Sequence, residues 1–259
     1  MKKDLTTKII MIIAIILVLI AIAYVSFGMY RKVTEEVKNP IVTMEIEDYG
    51  TIKIELYPDM APNTVANFVR LIQRGFYNGL TFHRTIPEFM IQGGDKNGDG
   101  TGTPTLGDII DNGGTKTYSI EGEMIKNGYT NNTLKMERGV IAMARSDYTS
   151  ISSSLASESY NSAGSQFFIM HADYPNLNAL YTCFGKVIEG IDIVDAIANV
   201  EVVTRDSDAE EGVDKPVNPP VIKSVTVETF GVDYGTPKTV EPFNYYNYLM
   251  QYYGSSLAE

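Results

Sequence analysis

The run Phe82-His83-Arg84-Thr85-Ile86-Pro87-Glu88-Phe89-Met90-Ile91-Gln92-Gly93-Gly94-Asp95 organises the reading of the whole chain. Thr81 to His83 and Phe89 to Gln92 are short apolar segments bounded by Pro, Gly and Asp, which reads as two short strands. Met90 and Gln92 share one face by the strand period of two, so both side chains can point toward one groove. Three more segments of the same kind follow at Gly139 to Ala144, Phe167 to Met170 and Thr182 to Val187.

Upstream, Val42, Met44 and Ile46 alternate with polar residues, and Tyr49-Gly50 turns the chain into Ile52, Ile54 and Leu56, a hairpin closed by Pro58. Val65, Phe68, Val69 and Ile72 recur at helical spacing between the start signals Pro62 and Asn63 and the stop signal Gly75. A second helix is expected near Ile191 to Ala198. Many short strands with few helices predict a mainly β domain, a closed antiparallel barrel. Tyr148 to Ala163 is Ser-rich and is expected as an exposed loop. The tail from Phe230 to Glu259 carries Tyr234, Tyr245, Tyr246, Tyr248, Tyr252 and Tyr253, which suits packing on the domain, or contact with a membrane surface or a partner.

From Ile9 to Gly28 the chain is uncharged and rich in Ile, Leu, Val and Ala, and a helix of that length rises about 30 Å, a bilayer core's thickness. A retained transmembrane anchor over 9–29 is the expectation, with a cytoplasmic tail at 1–8, a linker at 30–40 and the domain outside the cytoplasm. The competing reading is a cleaved secretory signal, with Lys2, Lys3 and Lys8 as its basic start and Ala21-Ile22-Ala23 as its cleavage site. Arg31, Lys32 and Lys38 nearly balance the leading lysines, so the positive-inside count leaves orientation weakly specified.

The 259 residues allow one substantial core with extensions. A single cysteine, Cys183, excludes an internal disulfide framework, and with only His83 and His171 the usual Cys/His zinc sets cannot be assembled. No metal or cofactor is expected. The chain has 32 Asp and Glu against 21 Lys and Arg. Such a balance disfavours nucleic acid as a partner, because phosphates need neutralising cations.

The quoted run resembles the signature of the cyclophilin family of peptidyl-prolyl isomerases. Further matches follow in order: Ala61-Pro62 with Thr64-Val65 and Asn67-Phe68, then Gly139 to Arg145, then Gly164-Ser165-Gln166-Phe167-Phe168-Ile169 and Phe184-Gly185-Lys186-Val187. The resemblance covers roughly Ile41 to Val200. It implies an eight-stranded barrel capped by two helices and proline-containing polypeptides as substrates; the domain is expected over 41–230, with the Tyr-rich extension following at 231–259.

An X-Pro amide crosses a barrier of about 18–20 kcal/mol by losing its resonance as it twists. A donor to the pyramidalised proline nitrogen and an apolar seat for the ring would both help. Arg84 offers a charged planar fork for the first task. The resemblance assigns Phe89, Met90, Phe168 and Leu177 to the proline pocket, with Gln92 positioning Arg84. It places the backbone of Ala144, Arg145 and Ser146 along the substrate chain, Gln166 on its path and Gly100 in a glycine-rich bordering loop.

Tyr181 stands where many relatives have a histidine, and its hydroxyl can still donate. Asn176 replaces a larger aromatic, so one pocket wall is expected to be missing. The Ser-rich loop is about a dozen residues longer than in compact relatives and should sit beside the groove. Asp95 to Gly100 opens like an EF-hand loop, yet the twelfth position is Leu106 instead of Glu and flanking helices are absent. The reading is an active isomerase for extracytoplasmic proteins, set against a proline-binding chaperone or scaffold with weak catalysis. Oligomeric state is not legible.

Overall fold

The computed structural model describes residues 2–34, 38–203 and 214–254 and divides into two units, Met1–Lys38 and Asn39–Glu259. The first unit is one helix, α1 (Lys2–Thr34), whose 19-residue stretch Lys8–Ser26 is long and apolar enough to cross a membrane. A signal sequence has the same property. Of the expected linker, residues 35–37 lie outside the described residues, as do the side chains of Arg31 and Lys32.

The second unit is built on eight strands. In chain order they are β1 (Ile41–Ile46), β2 (Gly50–Leu56), β3 (Thr81–Ile86), β4 (Met90–Asp95), β5 (Val140–Met143), β6 (Phe167–Met170), β7 (Cys183–Glu189) and β8 (Ile222–Glu228). Between and after them lie α2 (Pro62–Gln73), α3 (Ala156–Tyr160), α4 (Ile191–Ala198) and α5 (Tyr245–Gly254). The strands form one sheet in the order β3-β4-β6-β5-β7-β2-β1-β8. Every neighbouring pair is antiparallel.

The expected closed barrel is corrected to an open one. β3 and β8, the two ends of the sheet, meet through the single bridge Thr81↔Val221 and isolated bonds such as Phe82 N–H to Pro220 O (3.0 Å). Pro219 and Pro220 enter this seam with no N–H to donate, so a continuous ladder cannot form there. Further along, β3 turns its Thr85 N–H to Asp214 O instead (2.9 Å).

Strand burial explains why the sequence runs in the middle of the sheet show no alternation. Ile91, Ile141, Met143, Phe167 and Ile169 belong to the main core, whereas Met90, Val140, Ala142, Phe168 and Met170 belong to a second apolar cluster on the opposite face. The main core is centred on Phe68 of α2, whose ring lies 5.0 Å from Tyr77, 5.6 Å from Phe167 and 5.1 Å from Phe184. Two polar side chains drawn into this core pair with each other and the backbone: Tyr118 Oη donates to Asn67 Oδ1 (2.7 Å), and Asn67 Nδ2 donates to Gly164 O (2.8 Å).

α2 begins with Pro62 in its first turn, as expected, but its N-terminus is satisfied from a distance. The carboxylate of buried Glu123 accepts from Asn63 N–H, Thr64 N–H and Thr64 Oγ1. That places a negative charge at the positive end of the helix.

The Ser-rich stretch also departs from expectation. It is not wholly an exposed loop, because Ser153–Leu155 and α3 form helical turns that bury Leu155 and Ser159. Ser152 Oγ accepts from Ser154 N–H (3.3 Å) and starts the turn, and apolar Leu155 anchors it.

Two outcomes follow from this packing. Glu123→Ala strips three donors of their acceptor and should lower unfolding stability by about 2 kcal/mol or more in urea titration, with Glu123→Gln costing less. Burial in the outer cluster pushes the Cys183 thiol up to about 12, so alkylation at pH 8 should be undetectable until the domain unfolds.

Candidate active site

The outer apolar cluster carries a hollow of about 140 Å³ lined by Arg84, Phe89, Met90, Gln92, Ala144, Arg145, Phe168, Leu177 and Tyr181. Nine of the twelve residues singled out in the sequence therefore converge on one place. The floor is Met90 from β4 and Phe168 from β6, both nearly fully buried, with the Tyr181 ring set edge-on to Phe168 at 5.3 Å. Phe89 and Leu177 supply the sides.

Arg84 reaches this hollow through a break in β3. The cross-strand partners are Phe82↔Gly93 and Arg84↔Gln92, so β3 spends two residues where β4 spends one. That extra residue is a β-bulge at His83. Strict alternation would send Arg84 to the same face as core residue Phe82. The bulge turns it outward beside Gln92.

The bulge confines His83. It is buried, neither ring nitrogen has a hydrogen-bond partner among the described residues, and burial holds its pKa below the ordinary value, favouring the neutral ring. Arg84 itself is 41 % exposed, and its Nη2 lies 3.5 Å from Asp214 Oδ2. The expected hold of Gln92 on Arg84 is not what the structure shows. Gln92 Nε2 donates instead to Gln166 Oε1 (3.0 Å), and the acidic partner Asp214 comes from far along the chain.

Gln166 continues that chain by donating to Gly100 O (2.9 Å) and Gly102 O (3.2 Å). It thereby ties the hollow to the loop after β4. Buried Asp95 folds the same loop, since its carboxylate accepts from Asn97, Asp99 and Gly100 N–H. A Cβ at Gly102 would overlap the Asp95 carboxylate, so a larger residue there would displace the side chain that folds the loop. The three remaining residues of the expected site, Gly100, Ser146 and Gln166, line an adjoining hollow of about 410 Å³ that shares Gln92, Ala144 and Arg145 with the first.

Several contributors carried no sequence signal. Tyr174 lies outside the lining of the hollow but packs its ring 4.8 Å from Phe89, backing one of its sides. Arg145 stacks over Tyr181 at 4.6 Å and over Tyr160 at 5.3 Å while its Nε donates to Leu180 O, so its side chain braces the rim. His171 holds the β3–β4 turn: its ring Nδ1 accepts from Glu88 N–H (2.7 Å) and its backbone N–H donates to Phe89 O (2.9 Å). Glu88 adopts φ 59, a left-handed conformation that costs a non-glycine residue energy and needs such support.

Because His171 Nδ1 accepts, Nε2 carries the proton that faces Asp195 Oδ1 at 3.1 Å. Arg138 forks onto the same carboxylate at 2.5 and 2.8 Å and holds the Asp195 pKa below the ordinary carboxylate value, with His171 adding to the effect. This stabilisation is complete above the unfolded carboxylate's pKa and is lost as pH falls through the depressed folded one. Asp195→Asn should thus lower the urea midpoint at pH 7 by the equivalent of about 1 kcal/mol, a value limited by solvent screening. The gap to wild type should narrow as the pH is lowered below the ordinary carboxylate range, as followed by urea titrations across pH.

Comparison with known proteins gives a consistent picture. Residues 41–227 match the family model described as cyclophilin type peptidyl-prolyl cis-trans isomerase/CLD. The chain is 39% identical over 158 residues to peptidyl-prolyl cis-trans isomerase B of Bacillus subtilis, covering 61% of this chain and 90% of that one. It is 35% identical over 212 residues to a probable peptidyl-prolyl cis-trans isomerase of Brucella suis, covering 81% and 94%. A Cryptosporidium parvum cyclophilin type peptidyl-prolyl cis-trans isomerase, crystallised in the presence of the dipeptide Ala-Pro, superposes with a TM-score of 0.56 at 29% identity. That match covers 73% of this chain and 98% of that one.

Proposed function

This chain belongs to the cyclophilin type peptidyl-prolyl cis-trans isomerases, and from that premise we propose that the 140 Å³ hollow seats a substrate proline beneath Arg84. The reaction breaks no bond. It needs the X-Pro amide to twist through a barrier of about 18–20 kcal/mol, which amide resonance creates.

When that resonance is lost, the proline nitrogen pyramidalises and gains a lone pair that can accept a hydrogen bond. Arg84 meets this need with a fixed, permanently charged fork. Among the described residues no hydrogen bond occupies the fork, and the ion pair with Asp214 engages only one corner of it. Phe89, Met90, Phe168 and Leu177 hold the ring while the preceding carbonyl rotates, and Gln92 with Gln166 keeps the rim in register. The backbone of Ala144, Arg145 and Ser146 runs beside the hollow, where an extended polypeptide can pair with it. The observation that carries this reading is the bulge at His83, which brings a guanidinium and an apolar seat to the same opening.

The long apolar helix supports a place at a membrane or export through one; with the domain on the far side, the isomerase would act on exported chains whose slow prolyl steps limit folding. The mass of the chain recovered from cell membranes tests this. An intact mass supports the anchor, and loss of about the first 23 residues means a cleaved signal.

Catalysis is tested on a short X-Pro peptide with the full chain in detergent. Arg84→Ala should lower kcat/KM about 100-fold or more with the fold intact, and Arg84→Lys should recover little of it. Undiminished turnover in Arg84→Ala would remove the assigned role. Wild-type protein that bound such peptides without turning them over would favour the scaffold reading.

A further inference from the structure

The C-terminal tail lies beyond the residues matched by the family model, which end at 227, yet it runs to the edge of the substrate groove. Three separate ties set its course. Val240 and Ser119 exchange backbone hydrogen bonds in both directions at 2.8 and 3.0 Å. Asn63 does the same with the Lys238 backbone, donating from Nδ2 (3.0 Å) and accepting at Oδ1 (2.7 Å). Lys116 and Glu241 form an ion pair at 2.6 Å. These ties deliver Phe243 to the Ser-rich segment, where its ring packs 4.8 Å from Tyr148 and, on its other side, 5.8 Å from Tyr248 of α5.

Tyr148 is a wall of the 410 Å³ hollow that adjoins the proline seat. Its backbone is pinned by Ser159 Oγ (2.7 Å), and the far end of the same segment is fixed by the bridge Ile120↔Ala163. Ser119 and Ile120 therefore hold the tail on one side and the Ser-rich segment on the other. The ring of Tyr148 packs directly on Phe243.

We propose that the tail sets specificity from outside the hollows: Phe243 is a positioning residue that fixes Tyr148, and Tyr148 is a specificity-determining wall limiting which side chains near the substrate proline enter the second hollow. The rest of that lining is mostly Gly, Thr, Ser and Gln, which offers hydrogen bonds and little apolar surface. With Tyr148 held in place, the hollow takes small polar side chains such as Ser or Asn and discriminates against bulky apolar ones such as Phe. This rests on the reading of Arg84 and its hollow as the seat of catalysis.

The test compares kcat/KM of the full chain on a minimal blocked X-Pro substrate and on longer peptides with Ser or Phe at each of the three positions flanking the X-Pro pair. Wild type should favour Ser over Phe at one flanking position. Phe243→Ala should shrink that preference about 2- to 10-fold, the range expected for losing one aromatic contact, while leaving the minimal substrate unchanged. Phe243→Tyr should restore it. Tyr148→Ala should shrink the preference as far, and adding Phe243→Ala to it should change nothing more. An unchanged preference in Phe243→Ala, additive effects in the double variant, or an equal loss on minimal and long substrates would overturn the proposal. An inactive wild type on the minimal substrate would instead strike at the catalytic reading itself.

Discussion

The groove depends on one extra residue in β3. With His83 bulged, Phe82 can fill the core while Arg84, two positions on, faces outward beside Gln92. A regular strand would have placed both on the same side, leaving either a buried guanidinium or an empty core. His83 bears the consequence as a buried ring with neither nitrogen paired among the described residues. Such unmet polar groups are uncommon in folded proteins and collect where geometry is set by function more than by stability.

Beside the bulge, β4 makes close backbone contact with β6 and the segment before it. A Cβ at Gly94, where φ is 81, would lie 2.5 Å from Ser165 O and 2.9 Å from the Phe167 ring. Side-chain-free backbone lets β4 settle against β6, which brings Met90 and Phe168 together as the floor of the hollow. The same two strands turn Ile91, Phe167 and Ile169 toward the main core, so the site rests on a sheet packed on both faces. A rigid floor of this kind suits a reaction in which the substrate twists and the enzyme should not.

Around this floor, the parts that shape access come from distant stretches of chain. Asp214 approaches Arg84 from the segment before β8, His171 steadies the β3–β4 turn from beyond β6, and Phe243 steadies Tyr148 from the tail. None of these residues belongs to a local pattern. Each acts through one or two contacts across at least 80 residues, and isolated contacts leave no periodicity to read.

Local chemistry, by contrast, was plain. The β1–β2 hairpin, α2 and α4 follow from alternation, helical spacing and Pro/Gly punctuation, because each buries one face and so imprints a period on its residues. The last strand, β8, carries only an interrupted alternation of Ile222, Val225 and Val227 after two prolines, too weak a period to mark a strand. Phe167 to Met170 reads as uniformly apolar because both of its faces are covered. The sequence alone thus determined the family motif, most of the strands and helices, the apolar N-terminal helix and which side chains gather at the hollow. Only the tertiary structure decided that the barrel stays open at the β3–β8 seam, that Gln92 serves Gln166 instead of Arg84, and that the tail reaches the groove. Those outcomes turn on register and on contacts between residues far apart in the chain, and neither is encoded in any short run of residue types.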